Sequence, residues 1–180
     1  MNVYVMRHGT TVWNEFGKTQ GRSNNRLSKA GIELTKKVAK EYANVKFDAI
    51  ICSPLMRTMQ TANLMNEYHK VKIIKDDRLI EIDQGIFSGR GRDGLTDEEK
   101  VLKYARSEKC GMESFESVFI RIKNFIDQLN KEKKFKNVLI ITHNTPASFI
   151  AHIYNKVEVD FTKKEHISNF KNAQVKWFNV

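Results

Sequence analysis

The chain has 180 residues, and its 31 lysines and arginines outnumber 21 acidic residues, leaving a formal charge of +10. That length favours one domain, large enough to bury roughly 70% of its unfolded surface without help from disulfides or metals. A composition 41% hydrophobic and 29% charged excludes disordered and fibrous classes, and the longest apolar runs, such as Val138-Leu139-Ile140-Ile141, fall far short of the roughly 18–20 residues that span a bilayer.

Short apolar, β-branched runs alternate with segments of helical period. Strands are predicted over 3–6, 49–52, 71–74, 138–142 and 175–178. Several are apolar throughout, as suits strands covered on both faces by helices. Ser28 precedes a helix carrying Ile32, Val38, Ala39 and Tyr42 on one face. Ser53-Pro54 and Thr145-Pro146 each place a capping hydroxyl before a first-turn proline, and Thr96-Asp97-Glu98-Glu99 reads as a capping box. Ser114 opens a helix whose Phe115, Val118, Phe119, Ile122, Phe125, Ile126 and Leu129 form a core stripe. This order predicts an α/β fold: a three-layer αβα sandwich with a mostly parallel central sheet. Residues 1–180 read as a single domain, and about 85–130 form a mostly helical cap insertion.

The first residues, Met1 to His8, carry neither a basic leader nor an apolar core, so no secretory signal is expected. Cys52 and Cys110 belong to no CxxC or CxxH pair, which argues against structural zinc and for a reducing cytoplasm. Lys131, Lys133, Lys134 and Lys136 cluster beside a helix end, where they complement the helix dipole. The lysines therefore read as a solvated surface, with a field that attracts anionic substrates as the second reading and no nucleic-acid or membrane partner expected. Self-association into a homodimer stays open.

Four segments set polar residues directly after strands or close beyond them: Arg7-His8-Gly9-Thr10-Thr11, Ser53 to Thr58, Leu79-Ile80-Glu81, and Thr142-His143-Asn144-Thr145. In open α/β sheets ligands bind outside the carboxyl ends of strands, so parallel strands would bring Arg7, His8, Arg57 and His143 to one edge. Two arginines, two histidines and a glutamate suit a phosphoryl group. Arginine forks grip phosphate oxygens, an imidazole can attack phosphorus, and a carboxylic acid can protonate the leaving oxygen and then activate water. No metal or other cofactor is called for, because guanidinium groups neutralise the developing charge and no Walker-type loop or aspartate cluster is present.

Here the sequence resembles a family. Arg7-His8-Gly9-x-Thr11-x-x-Asn14, Gln20-Gly21, Leu27-Ser28-x-x-Gly31, Ser53-Pro54-Leu55-x-Arg57-x-x-Gln60-Thr61-Ala62, Leu79-x-Glu81-x-x-x-Gly85-x-Phe87-x-Gly89, Gly111-x-Glu113-Ser114 and Thr142-His143 occur in the order found in the histidine phosphatase (phosphoglycerate-mutase-like) superfamily. The resemblance covers residues 3 to about 150. It implies that His8 becomes phosphohistidine, that Arg7, Arg57 and His143 form the phosphate pocket, and that Glu81 is the proton donor. It implies further that Asn14 contacts phosphate, that the Gln20-Gly21 loop lines the site, and that Glu113 is a cap carboxylate near the pocket; at Asn144, which departs from the family, the backbone N–H can still bind phosphate. Departures are Thr10 for Glu or Gln, Asn24 for Asp, Arg26 for Pro, Phe87 for Trp, and Asn144 for Gly, whose side chain is expected to narrow the pocket. Arg121 reads as a surface residue, His69 and His152 as structural or exposed, and His166 as without a role; Trp13 and Phe16 are expected to flank the pocket.

The expected activity is metal-independent hydrolysis of a small phosphomonoester through a phosphohistidine. Alternatives are a phosphoglycerate-type mutase, a protein-phosphohistidine phosphatase and a non-catalytic phospho-ligand binder. The short run from Asn144 to Val180 and the Gln20-Gly21 loop favour the hydrolase over the mutase, and the cap argues against the protein phosphatase. The cap mixes Arg90, Arg92, Lys100, Lys103 and Arg106 with Phe87, Leu95, Leu102 and Tyr104, which does not single out a substrate.

Overall fold

A computed structural model describes residues 1–91, 93–161 and 170–180; Arg92 and His166 lie outside the described residues. The strands are β1 (Asn2–Arg7), β2 (Ala49–Cys52), β3 (Lys72–Lys75), β4 (Asn137–Thr142) and β5 (Val175–Asn179). They form one sheet in the order β3-β2-β4-β1-β5, parallel except for β5, which runs antiparallel beside β1. The helices are α1 (Val12–Glu15), α2 (Lys29–Glu41), α3 (Met56–His69), α4 (Asp97–Tyr104), α5 (Phe115–Glu132) and α6 (Asn144–Tyr154).

Strand side chains alternate between two cores because successive residues point to opposite faces. Val138 and Ile140 of β4 join Val118, Ile122, Phe125 and Ile126 of α5 and Phe149 and Ile150 of α6. Leu139 and Ile141 of the same strand join Ala39 of α2 and Ala62 and Met65 of α3. Three layers result, as the alternation of elements predicts. Ile122 is fully buried in the first core. Ile122→Ala should lower the unfolding free energy by about 3 kcal/mol through lost burial and the cavity left behind. Urea unfolding should show a lower midpoint at unchanged slope. The exposed neighbour Lys123, paired with Asp127, should cost no more than about 0.5 kcal/mol when replaced by alanine.

The excursion expected over about 85–130 divides in two. α5 lies on the sheet with the main core. The part before it, with a 3-10 turn at Gly85–Phe87 and helix α4, builds a small cluster of its own from Phe87, Leu95, Cys110 and Met112.

Ser28, Thr96 and Ser114 cap their helices through their hydroxyls, and Thr96 with Glu99 completes a capping box. The two serine- or threonine-proline pairs behave differently. α3 is capped by Leu55 and begins at Met56, so Ser53-Pro54 lies outside it. α6 is capped by His143, which puts Thr145 and Pro146 inside its first turn. A proline is tolerated anywhere there, because the first turn's N–H groups have no partner within the helix.

Candidate active site

The carboxyl ends of β1, β2 and β4 lie side by side, with Arg7 opposite Thr142 and Cys52 opposite Ile141. The N–H of His8 donates to Thr142 O at 2.9 Å and that of Ser53 to Ile141 O at 3.1 Å, so pairing continues just past the strands. The Gly9 N–H donates to Thr61 Oγ1 of α3. Gly31 of α2 packs so close to Thr10 O that any side chain there would collide with it.

His8, Arg57 and His143 are buried together. Nδ1 of His8 lies 2.7 Å from Gly9 O, which must accept, so the proton sits on Nδ1 and Nε2 carries the lone pair. One Arg57 hydrogen, on Nε, is shared between His8 Nε2 and His143 Nδ1, both at 3.2 Å. The other end of His143, Nε2, lies 2.9 Å from Ser53 Oγ. Arg57 Nη1 donates to Ser23 O and Nη2 to Gly21 O, at 2.6 and 2.8 Å. Gly21 adopts φ +50, a conformation that suits glycine and that turns this carbonyl loop beneath the guanidinium. The arginine fork expected to grip phosphate thus spends a hydrogen from each terminal nitrogen on main chain, and Nε faces the imidazoles.

Burial, together with the positive charge of Arg57 and Arg7, holds the His8 pKa well below 6.5; burial and Arg57 do the same for His143. Both rings are therefore neutral at pH 7. Burial lowers the Arg57 pKa to about 10 against the attraction of Glu81, which leaves it charged.

His8 and Arg57 open onto a cavity of about 220 Å³, whereas His143 lies buried beside them and does not line it. Arg7, Asn14, Gln20, Gly21, Glu81 and Asn144 all line it, as expected of the site residues. Lys18, Thr19, Gln84, Lys103 and Thr145 line it as well. Arg7 Nη1 donates to Phe170 O at 2.6 Å. Asn14 spends Oδ1 on Thr11 N and Asn172 Nδ2, which leaves its Nδ2 hydrogens for the cavity. Asn144 Oδ1 accepts from Phe170 N, so its carbonyl end is tied to the segment before β5. Glu81 Oε1 accepts from Ile82 N at 2.9 Å. Of the cap cations, Lys103 reaches the cavity and donates to Thr19 Oγ1 at 2.8 Å, whereas Arg90 pairs with Glu99 and Lys100 with Asp97.

Two expectations change, at Arg121 and Phe16, and the place of Glu113 becomes specific. Glu113 does not line the cavity; its carboxylate accepts from Asp83 N and pairs with Arg22 and Arg121, at 3.1 and 3.0 Å. Burial raises its pKa, but Arg121, Asp83 N–H and Arg22 outweigh that and hold it low. Arg121 is no surface residue: only 17% of its side chain is exposed, and it ties Glu113 to Arg78 O. Phe16 is 71% exposed and does not line the cavity, while Trp13 packs over Gly89. Arg22 went unnoticed in the sequence, although it donates to Glu81 O and pairs with Glu113.

A mostly parallel αβα sheet with two buried imidazoles and an arginine at its strand ends defines the class, a phosphoglycerate-mutase-like fold. The model of the histidine phosphatase superfamily (branch 1) matches residues 3–179, and the chain belongs to that family. It is 32% identical over 157 residues to phosphoserine phosphatase 1 of Hydrogenobacter thermophilus, covering 81% of this chain and 72% of that protein. It is 39% identical over 100 residues to the "Probable phosphoglycerate mutase GpmB" of Enterobacter sp., a match spanning 56% of this chain and 46% of that protein's length. In three dimensions it is similar to the α-ribazole phosphatase of Shigella flexneri, with a TM-score of 0.87 at 22% identity, covering 100% of this chain and 91% of the other.

Proposed function

We propose that the protein is a metal-independent phosphomonoesterase that hydrolyses a small phosphorylated metabolite through a phosphohistidine at His8. One observation carries the reading. The Nδ1–H of His8 is fixed on Gly9 O, so its Nε2 lone pair is presented at the floor of a cavity whose remaining lining is cationic or neutral apart from Glu81. Family membership and a phosphatase-named relative support it.

Arg7 and Arg57 hold the phosphoryl oxygens and neutralise charge as the ester bond lengthens. The N-terminal turn of α6, with Asn144 and Thr145 at the cavity wall, adds main-chain N–H groups and a favourable dipole. His8 Nε2 attacks phosphorus while the protonated Glu81 carboxyl gives its proton to the departing alkoxide. The resulting carboxylate then takes a proton from water, which displaces phosphate from His8. Free, buried Cys52 and Cys110 fit a cytoplasmic setting.

Because every charge-neutralising group in this mechanism belongs to the polypeptide itself, turnover of phosphomonoesters should be unchanged in excess EDTA. Loss of activity in EDTA, restored by Mg²⁺ or Zn²⁺, would overturn this mechanism.

A further inference from the structure

The two site histidines are held differently. His8 faces a carbonyl, which can only accept, and so has one tautomer. His143 faces a serine hydroxyl, which accepts and donates alike. Ser53 is fully buried, and its Oγ lies 2.9 Å from His143 Nε2. On the far side of that ring, Nδ1 accepts the shared hydrogen of Arg57 Nε. A neutral imidazole has one N–H and one lone pair, so His143 in this state carries its proton on Nε2 and donates it to Ser53.

A phosphoryl group reverses that demand. His8 Nε2 and His143 Nδ1 share one donor at 3.2 Å, so a phosphorus bonded to His8 Nε2 brings its oxygens up to His143 Nδ1. Phosphoryl oxygens only accept, and a bare Nδ1 would repel them. Adding a second proton to the ring is opposed by its burial and by the arginines around it. Moving the existing proton is not opposed, provided that Nε2, once bare, finds a donor.

We propose that Ser53 is a positioning residue that lets His143 change tautomer when phosphate is bound. Its hydroxyl accepts from Nε2–H in the free enzyme and rotates to donate to bare Nε2 when Nδ1–H points at the phosphoryl oxygens. One proton leaves Nε2 for solvent and one is taken up at Nδ1, so the ring stays neutral and no other reactant is needed. The inference rests on the phosphatase reading above.

The test uses the full-length protein with ¹⁵N-labelled histidine, free and saturated with orthovanadate or inorganic phosphate. His143 should show Nε2–H when free and Nδ1–H with either anion, and Ser53→Ala should block the change. Retention of Nε2–H in both states would overturn the proposal. Kinetics supply a second arm. Ser53→Ala should lower kcat on an alkyl phosphate by about tenfold, the scale of one buried hydrogen bond to a reacting group, and Ser53→Thr should restore most of it. In a His143→Gln background, where no tautomer can change, Ser53→Ala should cost nothing further. Ser53 Oγ also accepts from Leu55 N at 3.4 Å. If that contact were its whole role, the loss would recur in both backgrounds and the proposal would fall. Should Ser53→Ala not fold, Ser53→Thr and the wild-type spectra still decide. The spectra need no turnover, so a protein that switched tautomer but hydrolysed nothing would overturn the phosphatase reading alone.

Discussion

Replacing His8 by alanine is expected to abolish turnover, by on the order of 10⁴-fold or more, because no other histidine among the described residues lines the cavity. Rapid quench of the wild type with substrate labelled in the phosphoryl group should trap an acid-labile phosphoenzyme, and peptide mapping should place it on His8. Label on His143 would reverse the two roles. His143 is the less suitable nucleophile because its ring does not line the cavity and its Nε2 is engaged with Ser53. The variant should also change the acid limb of stability. Below pH 6.5 the unfolded chain binds a proton that buried His8 refuses, so wild-type stability falls as pH drops from there towards the lowered native pKa. With alanine that contribution is gone, and urea midpoints measured between pH 7 and 5 should decline less steeply.

Glu81→Gln should separate proton donation from simple electrostatics. General acid catalysis contributes typically 10²–10⁴-fold, and only as far as the leaving group needs a proton. Glutamine keeps an oxygen to accept from Ile82 N, so the loop conformation should survive. On an alkyl phosphate the variant should lose the phosphorylation burst, whereas on p-nitrophenyl phosphate, whose phenolate leaves unaided, the burst should persist. Steady-state rates should fall on both esters, because dephosphorylation needs the same carboxylate as base. Equal loss of burst rate on both would remove Glu81 from the donor role. Glu113 is a poor substitute, being pinned as a carboxylate between two arginines.

All five strands were legible because their apolar, β-branched runs are local signals, and the observed bounds differ from the predicted ones by at most a residue at either end. Ser28, Thr96 and Ser114 were legible for the same reason: each caps a backbone N–H within three residues. Ser53 misled because its hydroxyl serves His143, ninety positions away in sequence and adjacent only once β2 and β4 pair. Arg121 misled for a related reason. It stands off the apolar stripe of α5, and nothing in the local pattern says that Glu113 and the carbonyl of Arg78 wait beside it. Lys18 and Thr19 line the cavity beside Gln20, so adjacency to a motif could have found them, whereas Lys103 arrives from the cap with no motif.

The carboxylate of Glu113 has a consequence for how such a protein can diversify. It binds Arg22 beside the Gly21 loop, Arg121 of α5 and the Asp83 N–H, while Arg22 and Arg106 hold the carbonyls of Glu81 and Asp83. The stretch that presents Glu81 is therefore anchored from the main body and from one arginine at the cap's exit. Residues 91–105 contribute nothing to that clamp among the interactions described, yet they deliver Lys103 to the cavity wall. Exchanges at Lys103 therefore alter the cavity wall while the ion pairs of the clamp stay in place, whereas Leu95 ties the stretch to Phe87, Cys110 and Met112. A laboratory swap of residues 91–105 that keeps Leu95 and Glu99 should therefore spare the Glu113 clamp, since both tie the stretch to Phe87 and Arg90.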